Sequence, residues 1–272
     1  MDKNFIEGMW FTDKEKAVAR VVREMLKEGP VNLFMSGPSG EGKTDRARAL
    51  AQHWGMDFYD INVPTLRDPE EFFIYRGAEN GSTYARLNEV AEAIKRGGVV
   101  VQLDEINRVE PWMLNGILPI LDFRRETFVH GQHISVGPEV LFVGTANRGW
   151  QFAGTFELDA ALADRFGLRI AVDAPPTDVL SEILVRKTGL SRHQAEEVAD
   201  KMAMIRQSPI GTTVNCSTRT ALDVAKLVAH GLPLRHALEV SLVDAAPVES
   251  KQNLLNVLNT KIGELSDWGG LV

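Results

Sequence analysis

The chain has 272 residues, 44% of them hydrophobic and 25% charged, so it can bury a sizeable core as one large domain or a large and a small one. A formal charge of -7 argues against a broad polyanion-binding surface, and nucleic acid is therefore a disfavoured partner. The sequence contains neither an apolar run long enough to span a membrane nor an apolar signal-peptide core at its start, and we expect a cytoplasmic protein with no membrane partner. The single cysteine, Cys216, leaves no partner for a disulfide within the chain and is expected to be a small buried hydrophobe.

Short apolar runs predict five buried strands, at residues 31–35, 58–63, 99–103, 140–144 and 168–172. Helical patterns with apolar residues at i, i+3, i+4 and i+7 lie between them. This alternation predicts an α/β fold with a five-stranded parallel sheet flanked by helices on both faces. The residues that form the two clearest helical patterns are Ala47, Leu50, Ala51 and Trp54, and then Leu87, Val90, Ala91 and Ile94.

The composition changes at the Pro175-Pro176 pair, after which no further strand is predicted. Residues 1–174 are therefore expected to form a large α/β domain, and residues 175–272 a small all-helical domain. In the helical part, three side chains are predicted helix N-caps and three apolar residues share one helical face. The predicted caps are Thr177, Ser191 and Ser217, and the apolar face consists of Val198, Met202 and Ile205.

Residues 37–44 match the phosphate-binding loop motif, between a predicted strand and a predicted helix that starts near Lys43. Glycines allow a tight turn whose N–H groups point at a triphosphate, and the helix N-terminus adds positive potential there. Lys43 would reach the β- and γ-phosphates, and Thr44 would give its hydroxyl to Mg²⁺. The predicted ATP-binding residues of the loop are Gly37, Pro38, Ser39, Gly40, Glu41, Gly42, Lys43 and Thr44.

The predicted strand 99–103 is followed by two acidic residues, Asp104 and Glu105, at the edge where an open α/β sheet places its ligand groups. This is the Walker B pattern. Asp104 would orient the metal ion, and Glu105 would act as the general base toward the attacking water. Together with the phosphate loop, these residues predict a magnesium-dependent ATP hydrolase.

The residues of these motifs and their order along the chain resemble those of the AAA+ ATPases, and in particular the MoxR-like branch that includes the CbbQ and NorQ type activators. Residues 103–111, 115–122 and 126–131 look like that branch's Walker B strand, next helix and β-hairpin. Residues 143–148 and 162–166 are similar to its sensor 1 region and the segment that follows, and residues 217–219 look like sensor 2 at the start of a lid helix. The likeness covers roughly residues 5–245.

The resemblance assigns roles to four further residues. Asn147 would hold the attacking water, and Arg165 would act in a neighbouring subunit's site as an arginine finger. Arg219 would contact the γ-phosphate and couple the helical lid to the nucleotide state. Arg108 resembles an arginine near the subunit interface, or else forms a structural salt bridge. Ordinary alternatives are a loop-capping Asn147, an Asp164–Arg165 surface ion pair and an exposed helical Arg219.

The resemblance also implies a ring, usually a hexamer, that remodels or activates a client or adaptor protein, often one carrying a von Willebrand factor A domain. Aromatic residues in 62–86, a segment too rich in turns to be one helix, either contact this client or pack in the core. Residues 124–136 predict a β-hairpin whose tip histidine is expected to be exposed, so Mg²⁺ is the only metal predicted.

Two competing functions remain from the sequence. The first is a DNA-directed motor or loader, which the acidic charge and the lack of a recognisable DNA-binding module disfavour. The second is a nucleotide-gated scaffold without turnover, which the full set Lys43, Asp104, Glu105, Asn147 and Arg165 disfavours.

Overall fold

The computed structural model describes residues 4–79, 81–147 and 160–261 of the chain. They divide into two compact units: Met1–Gly37 with Lys43–Val172, and Pro38–Gly42 with Asp173–Val272. The main division thus falls after Val172, whereas the domain boundary predicted from the sequence falls after residue 174.

The first unit consists of alternating strands and helices with two inserted hairpins. Its elements in chain order are β1 (Phe5–Ile6), β2 (Met9–Trp10), α1 (Asp13–Leu26), β3 (Val31–Gly37), α2 (Lys43–Trp54), β4 (Asp57–Asn62), β5 (Ile74–Glu79), β6 (Ser82–Leu87), α3 (Glu89–Arg96), β7 (Val99–Asp104), α4 (Leu118–Leu121), β8 (Glu126–Val129), β9 (Gln132–Ser135), β10 (Val140–Asn147), α5 (Ala160–Arg165) and β11 (Leu168–Ala171). Short 3₁₀ helices cover Val63–Thr65, Pro69–Phe72, Ile106–Arg108 and Pro111–Gly116.

A five-stranded sheet in the order β11-β3-β10-β7-β4 forms the centre of this unit, and every neighbouring pair is parallel. The three central strands are buried along almost their whole length because helices cover both faces. The side chains of β7 alternate between two cores: Val99 and Val101 pack on one face of the sheet and Val100 on the other. The parallel five-stranded sheet predicted from the sequence is therefore confirmed.

Both helical patterns predicted in this unit are confirmed as helices, with one correction. Leu87 is the last residue of β6, and α3 begins only after Asn88, whose side-chain oxygen accepts the Ala91 N–H at 2.9 Å. Leu87 matched the helical spacing because it packs against the same core as Val90. An N-cap residue thus separates two elements that contribute apolar side chains to one cluster.

Besides the antiparallel pair of β1 with β2, two further antiparallel hairpins accompany the sheet. The first pairs β5 with β6 and lies in the segment predicted to be rich in turns. The second pairs β8 with β9 around His130, as predicted, and His130 has a φ of +49° in the tight turn.

The second unit is helical in the part that the structure describes. Its elements are α6 (Thr177–Thr188), α7 (Arg192–Gln207), a 3₁₀ helix (Pro209–Thr212), α8 (Thr218–Ala229), α9 (Leu234–Leu238), a π-helix (Glu239–Val243) and α10 (Val248–Lys261). Its core contains the predicted apolar face of α7 together with Cys216. Burial raises the pKa of the Cys216 thiol to about 11, as expected for a small buried hydrophobe.

Two of the three predicted N-caps in this unit are confirmed. The Ser191 and Ser217 hydroxyls accept the N–H groups of Gln194 and Thr220. The prediction for Thr177 is wrong: this residue is the first of α6, and Pro176 occupies the cap position without a side-chain hydrogen bond. Proline already fixes the backbone that leads into the helix, so α6 begins without a hydroxyl cap.

Among the residues that the structure describes, no helix combines the length and the apolar character needed to cross a membrane.

Candidate active site

The phosphate-loop motif lies between β3 and α2, in the strand–loop–helix order predicted from the sequence. Gly37, the last residue of β3, lies against the backbone of Val172. A Cβ added to Gly37 would lie 1.9 Å from the Val172 carbonyl oxygen. Gly40 has a φ of +80°, a backbone conformation that is strained in residues with a side chain. The backbone can therefore form the tight turn that the motif requires.

Lys43, the first residue of α2, is only 7% exposed although it carries a charge. Its ammonium group donates to the Gly37 carbonyl oxygen at 3.0 Å and to Asn147 Oδ1 at 2.8 Å. A buried ammonium group requires polar partners. Both partners of Lys43 are the last residues of adjacent strands, Gly37 of β3 and Asn147 of β10. The fold thus directs Lys43 to the carboxyl ends of the central strands.

Glu105 follows β7 in a left-handed conformation, with a φ of +56° that is uncommon for a residue with a side chain. Its N–H donates to Thr145 Oγ1 at 3.1 Å, which fixes this conformation from the neighbouring strand. Its carboxylate accepts from Asn147 Nδ2 at 2.8 Å and from Arg108 Nη1 at 3.1 Å. Asn147 therefore connects Lys43 to Glu105, because its oxygen accepts from one and its nitrogen donates to the other.

A second polar cluster surrounds Gln102, on the face of β7 that also carries Asp104. The Gln102 amide nitrogen lies 2.9 Å from Thr44 Oγ1, 3.1 Å from Asp60 Oδ1 and 3.5 Å from Asp104 Oδ1. Thr145 donates a short hydrogen bond to Asp104. Asp60 is exposed at its outer edge, but desolvation of its carboxyl group, and next the nearby charge of Asp104, raise its pKa, and Arg48 partly opposes this shift.

Sequence reasoning missed Gln102, Asp60 and Thr145. Gln102 and Thr145 are polar residues inside apolar strands, and that contrast is the signal that could have identified them. Asp60 stands directly opposite Gln102 in the pairing of β4 with β7, which only the sheet order reveals.

The oxygens in this cluster suit a magnesium ion. Thr44 supplies a hydroxyl, and Asp104 and Asp60 supply carboxylates, which are the hard oxygen ligands that Mg²⁺ prefers. Both Thr44 and Asp104 approach the same amide nitrogen, so they lie together, as the predicted pair of metal residues requires. In the described part of the chain, no group of three or more His, Cys, Asp or Glu side chains offers another metal site.

Arg165 does not join either polar cluster. Its guanidinium donates to the carbonyl oxygens of Leu118 and Ala161 at 3.2 and 2.7 Å and lies 3.5 Å from Asp122 Oδ2. The alternative pairing of Arg165 with Asp164 is wrong, because its acidic partner is Asp122. Hydrogen bonds from Arg124, with a smaller contribution from Arg165, hold the pKa of Asp122 below its ordinary value.

Arg219 lies in the first turn of α8, within the second unit. Its N–H donates to the Gly40 carbonyl oxygen at 3.1 Å, and Thr218 beside it hydrogen-bonds Glu41. Within the described residues its exposed guanidinium has no hydrogen-bond partner. The loop segment 38–42 that belongs to this unit thus contacts the start of α8.

The aromatic residues of 62–86 divide between core and surface. Phe72 and Phe73 are 2% and 1% exposed and belong to the core of the first unit. Tyr75 is 50% exposed and its ring lies near that of Tyr84 at a tilt of 46°, with the Arg86 guanidinium over both rings. The core interpretation is therefore right for the two phenylalanines, and only the tyrosine pair remains a candidate for client contact.

The histidines of the second hairpin pair with acidic side chains. His130 Nε2 lies 2.7 Å from Glu70 Oε2, and His133 Nε2 lies 2.9 Å from Glu126 Oε2. The His130 side chain is half-exposed, in agreement with the expected exposed tip. Arg148, the last residue of the stretch that resembles sensor 1, lies outside the described residues.

A glycine loop between a buried strand and a helix, followed by acidic and amide side chains at the ends of adjacent parallel strands, defines a P-loop nucleoside triphosphatase. Known structures agree with this class. The fold matches the Holliday junction branch migration motor RuvB of Thermotoga maritima with a TM-score of 0.60 and 17% identity, over 93% of this chain and 78% of that one. It also matches the FIGL-1 AAA domain in complex with ADP with a TM-score of 0.55 and 17% identity, over 95% and 90% of the two chains.

Family models identify the chain more closely. Residues 32–166 match the AAA domain of the dynein-related subfamily, and residues 181–260 match the C-terminal model of CbbQ, NirQ and NorQ. The chain is 33% identical over 246 residues to BssE of Thauera aromatica, whose name assigns it provisionally to the chaperones; the match covers 89% of this chain and 84% of BssE. The chain belongs to the MoxR-like AAA+ ATPases of the CbbQ and NorQ type, as the resemblance predicted, and is thus an ATP hydrolase with a nucleotide-binding fold.

Proposed function

We propose that this protein is a ring-forming, magnesium-dependent ATPase that uses hydrolysis to remodel or activate a partner protein. The link from Lys43 through Asn147 to Glu105 carries the proposal, because it brings a phosphate-binding cation, a neutral amide and a carboxylate together at the ends of three neighbouring strands. A scaffold that only bound nucleotide would need the cation but not the carboxylate.

In the proposed reaction, Lys43 binds the β- and γ-phosphates, and Thr44 and Asp104 hold Mg²⁺, which neutralises phosphate charge when bound. Glu105 accepts a proton from the attacking water. The oxygen of that water bonds to the γ-phosphorus, and the bond between the γ-phosphorus and the bridging oxygen of ADP breaks. Asn147 positions that water with its amide. Its hydrogen bonds to Lys43 and Glu105 hold that amide between the two charged groups.

The proposed assembly is a homo-oligomeric ring, most simply a hexamer, with each site completed by a neighbour. Arg165 would enter the adjoining subunit's site as an arginine finger. Arg219 would bind the γ-phosphate and make the helical part, residues 175–272, a lid that responds to hydrolysis. The contacts of Gly40 and Glu41 with the start of α8 support this proposal for the lid.

The proposed partner is a client or adaptor protein, with a von Willebrand factor A domain as the first candidate. The chaperone name of BssE supports a protein client. The paired tyrosines of the first hairpin, Tyr75 and Tyr84, are candidates for its contact surface, and we propose the cytoplasm as the setting.

The experiment that tests the hydrolytic part compares the purified wild type with Glu105→Gln. We expect the variant to bind ATP with Mg²⁺ normally while turnover falls by about 10²- to 10⁴-fold, the usual contribution of a general base. Undiminished phosphate release would contradict the assignment of Glu105.

The trapped Glu105→Gln ring also offers a test for the partner. Cross-linking and mass spectrometry on the trapped ring, with the untrapped wild type as control, should enrich one protein in the presence of ATP. Turnover stimulated by single-stranded DNA, with a steep dependence on salt, would instead favour a DNA-directed motor.

A further inference from the structure

Gln102 is a polar residue in a strand that is otherwise apolar. Its side chain is 0% exposed, and Val100, Val101 and Leu103 around it are also buried. Leucine or valine would fill this position without the cost of burying an amide. The buried amide therefore needs a reason that packing alone does not provide.

The reason lies in the three oxygens around the amide nitrogen. The hydroxyl of Thr44, from the start of α2, and the carboxylates of Asp60 on β4 and Asp104 on β7 all lie within 3.5 Å of Gln102 Nε2. The carboxylates also fix the orientation of the amide. In the reversed orientation, the Gln102 oxygen would lie where the nitrogen is and both carboxylates would repel it. That oxygen is buried and has no hydrogen-bond partner among the described residues, so the three contacts on the nitrogen side hold the side chain.

Asp60 is placed next to the metal residues by the sheet itself. In the register of β4 with β7, Asp60 stands opposite Gln102, so both side chains emerge on the same face as Asp104. This adds a second carboxylate beside Thr44 and Asp104. The two carboxylates share one neutral donor, and the charge of Arg48 acts only partly on Asp60, so negative charge remains at this point that a divalent cation would offset.

We propose that Gln102 and Asp60 complete the magnesium site, an inference that rests on the proposed function. Gln102 is a positioning residue that holds the Thr44 hydroxyl and the Asp104 carboxylate at one place. Asp60 is an additional acidic group that increases the affinity for the cation and can accept hydrogen bonds from waters, several of which Mg²⁺ keeps in nucleotide sites.

The test titrates Mg²⁺ into wild type, Asp60→Asn and Gln102→Leu while the binding of a fluorescent ADP is followed. We expect both variants to need about 10-fold more Mg²⁺ for half-maximal binding, the lower end of the usual effect of residues that support metal ligands. In EDTA, Asp60→Asn should bind ADP as tightly as the wild type or more tightly, because a negative charge near the phosphates has been removed. A damaged fold would instead weaken binding under both conditions.

The matched control is Asp57→Asn, the same substitution on the same strand. Asp57 and Asp60 are both exposed, but Asp57 pairs with Arg96 at 2.6 Å instead of Gln102, so this variant should keep the wild-type Mg²⁺ dependence. An unchanged Mg²⁺ requirement in Asp60→Asn, or equal losses with and without Mg²⁺, would overturn the inference while the proposed function survives. A wild type that binds ADP equally well with and without Mg²⁺ would overturn the magnesium dependence and this inference together.

Discussion

Two sets of residues that the sequence assigned to one reaction differ sharply in the structure. Lys43, Asn147 and Glu105 form a continuous set of hydrogen bonds within one chain. Arg165 instead contacts main-chain oxygens and Asp122, and none of its contacts in the described chain involves the other three. Lys43, Asn147 and Glu105 thus form one connected set, whereas Arg165 is held by separate contacts.

The difference follows from how each group is positioned. Asn147 and Glu105 follow adjacent strands, so the sheet holds them a fixed distance apart. Arg165 ends α5, a short helix, and its guanidinium satisfies the backbone oxygens nearby. An arginine that does not reach its own chain's site can contribute to hydrolysis only if another copy, or a different conformation, presents it to a phosphate.

The largest expected effect comes from Arg165→Ala, which tests this separation directly. Turnover should fall by about 10³-fold or more, the usual contribution of an arginine finger, while ADP binding to the isolated chain stays intact. Mixing equal amounts of Arg165→Ala and Glu105→Gln should restore up to roughly a quarter of the activity, because some interfaces then combine an intact Glu105 with an intact Arg165. Steady-state phosphate release checks both.

The matched control for this experiment is Arg169→Ala. Arg169 also donates to nearby main-chain oxygens, those of Phe166 and Ala163, so its loss disturbs the same region. This variant should retain turnover close to that of the wild type. If the mixture forms rings by analytical ultracentrifugation but recovers no turnover, Arg165 acts in its own chain's site. That result would contradict the separation of Arg165 from the other three residues.

A smaller effect is expected from Asn147→Ala, which cuts the link inside the connected set. The kcat should fall by about 10²-fold, as when one positioned donor is removed from a reacting centre, with little change in KM. Lys43 and Glu105 would also each lose a buried partner, so the free energy of unfolding should drop by about 1–3 kcal/mol. A variant that loses stability but keeps its kcat would make Asn147 a structural link only.

Much of the fold could be predicted because its signals are local. The run 99–103 is apolar except for Gln102, as expected for a strand that helices cover on both sides. The errors occurred where two elements meet. Leu87 fits a helical spacing although it is the last residue of a strand, and Thr177 has the side chain of a cap although Pro176 occupies the cap position.

The site was predictable only as far as its motifs extend. Lys43, Asp104 and Glu105 have a fixed spacing from glycines or from a strand end, which the sequence displays. The contacts of Asp60 with Gln102 depend on which strands are neighbours, and β4 and β7 are far apart in the chain. The acidic partner of Arg165 is likewise distant in sequence, so the nearest candidate, Asp164, was the wrong choice.

The smallest expected effect belongs to Arg108→Ala. This variant tests whether Arg108 acts with Glu105 in its own chain or, like Arg165, in a neighbouring subunit's site. Its guanidinium is 38% exposed and pairs with Glu105 Oε2 at 3.1 Å. Such pairs contribute up to about 1 kcal/mol, so losing this one should lower turnover by about fivefold or less in a phosphate-release assay. Arg108→Lys should recover most of the loss if charge alone supports Glu105. A loss as large as that of Arg165→Ala, restored by mixing with Glu105→Gln, would instead assign Arg108 to the group that a neighbouring subunit supplies.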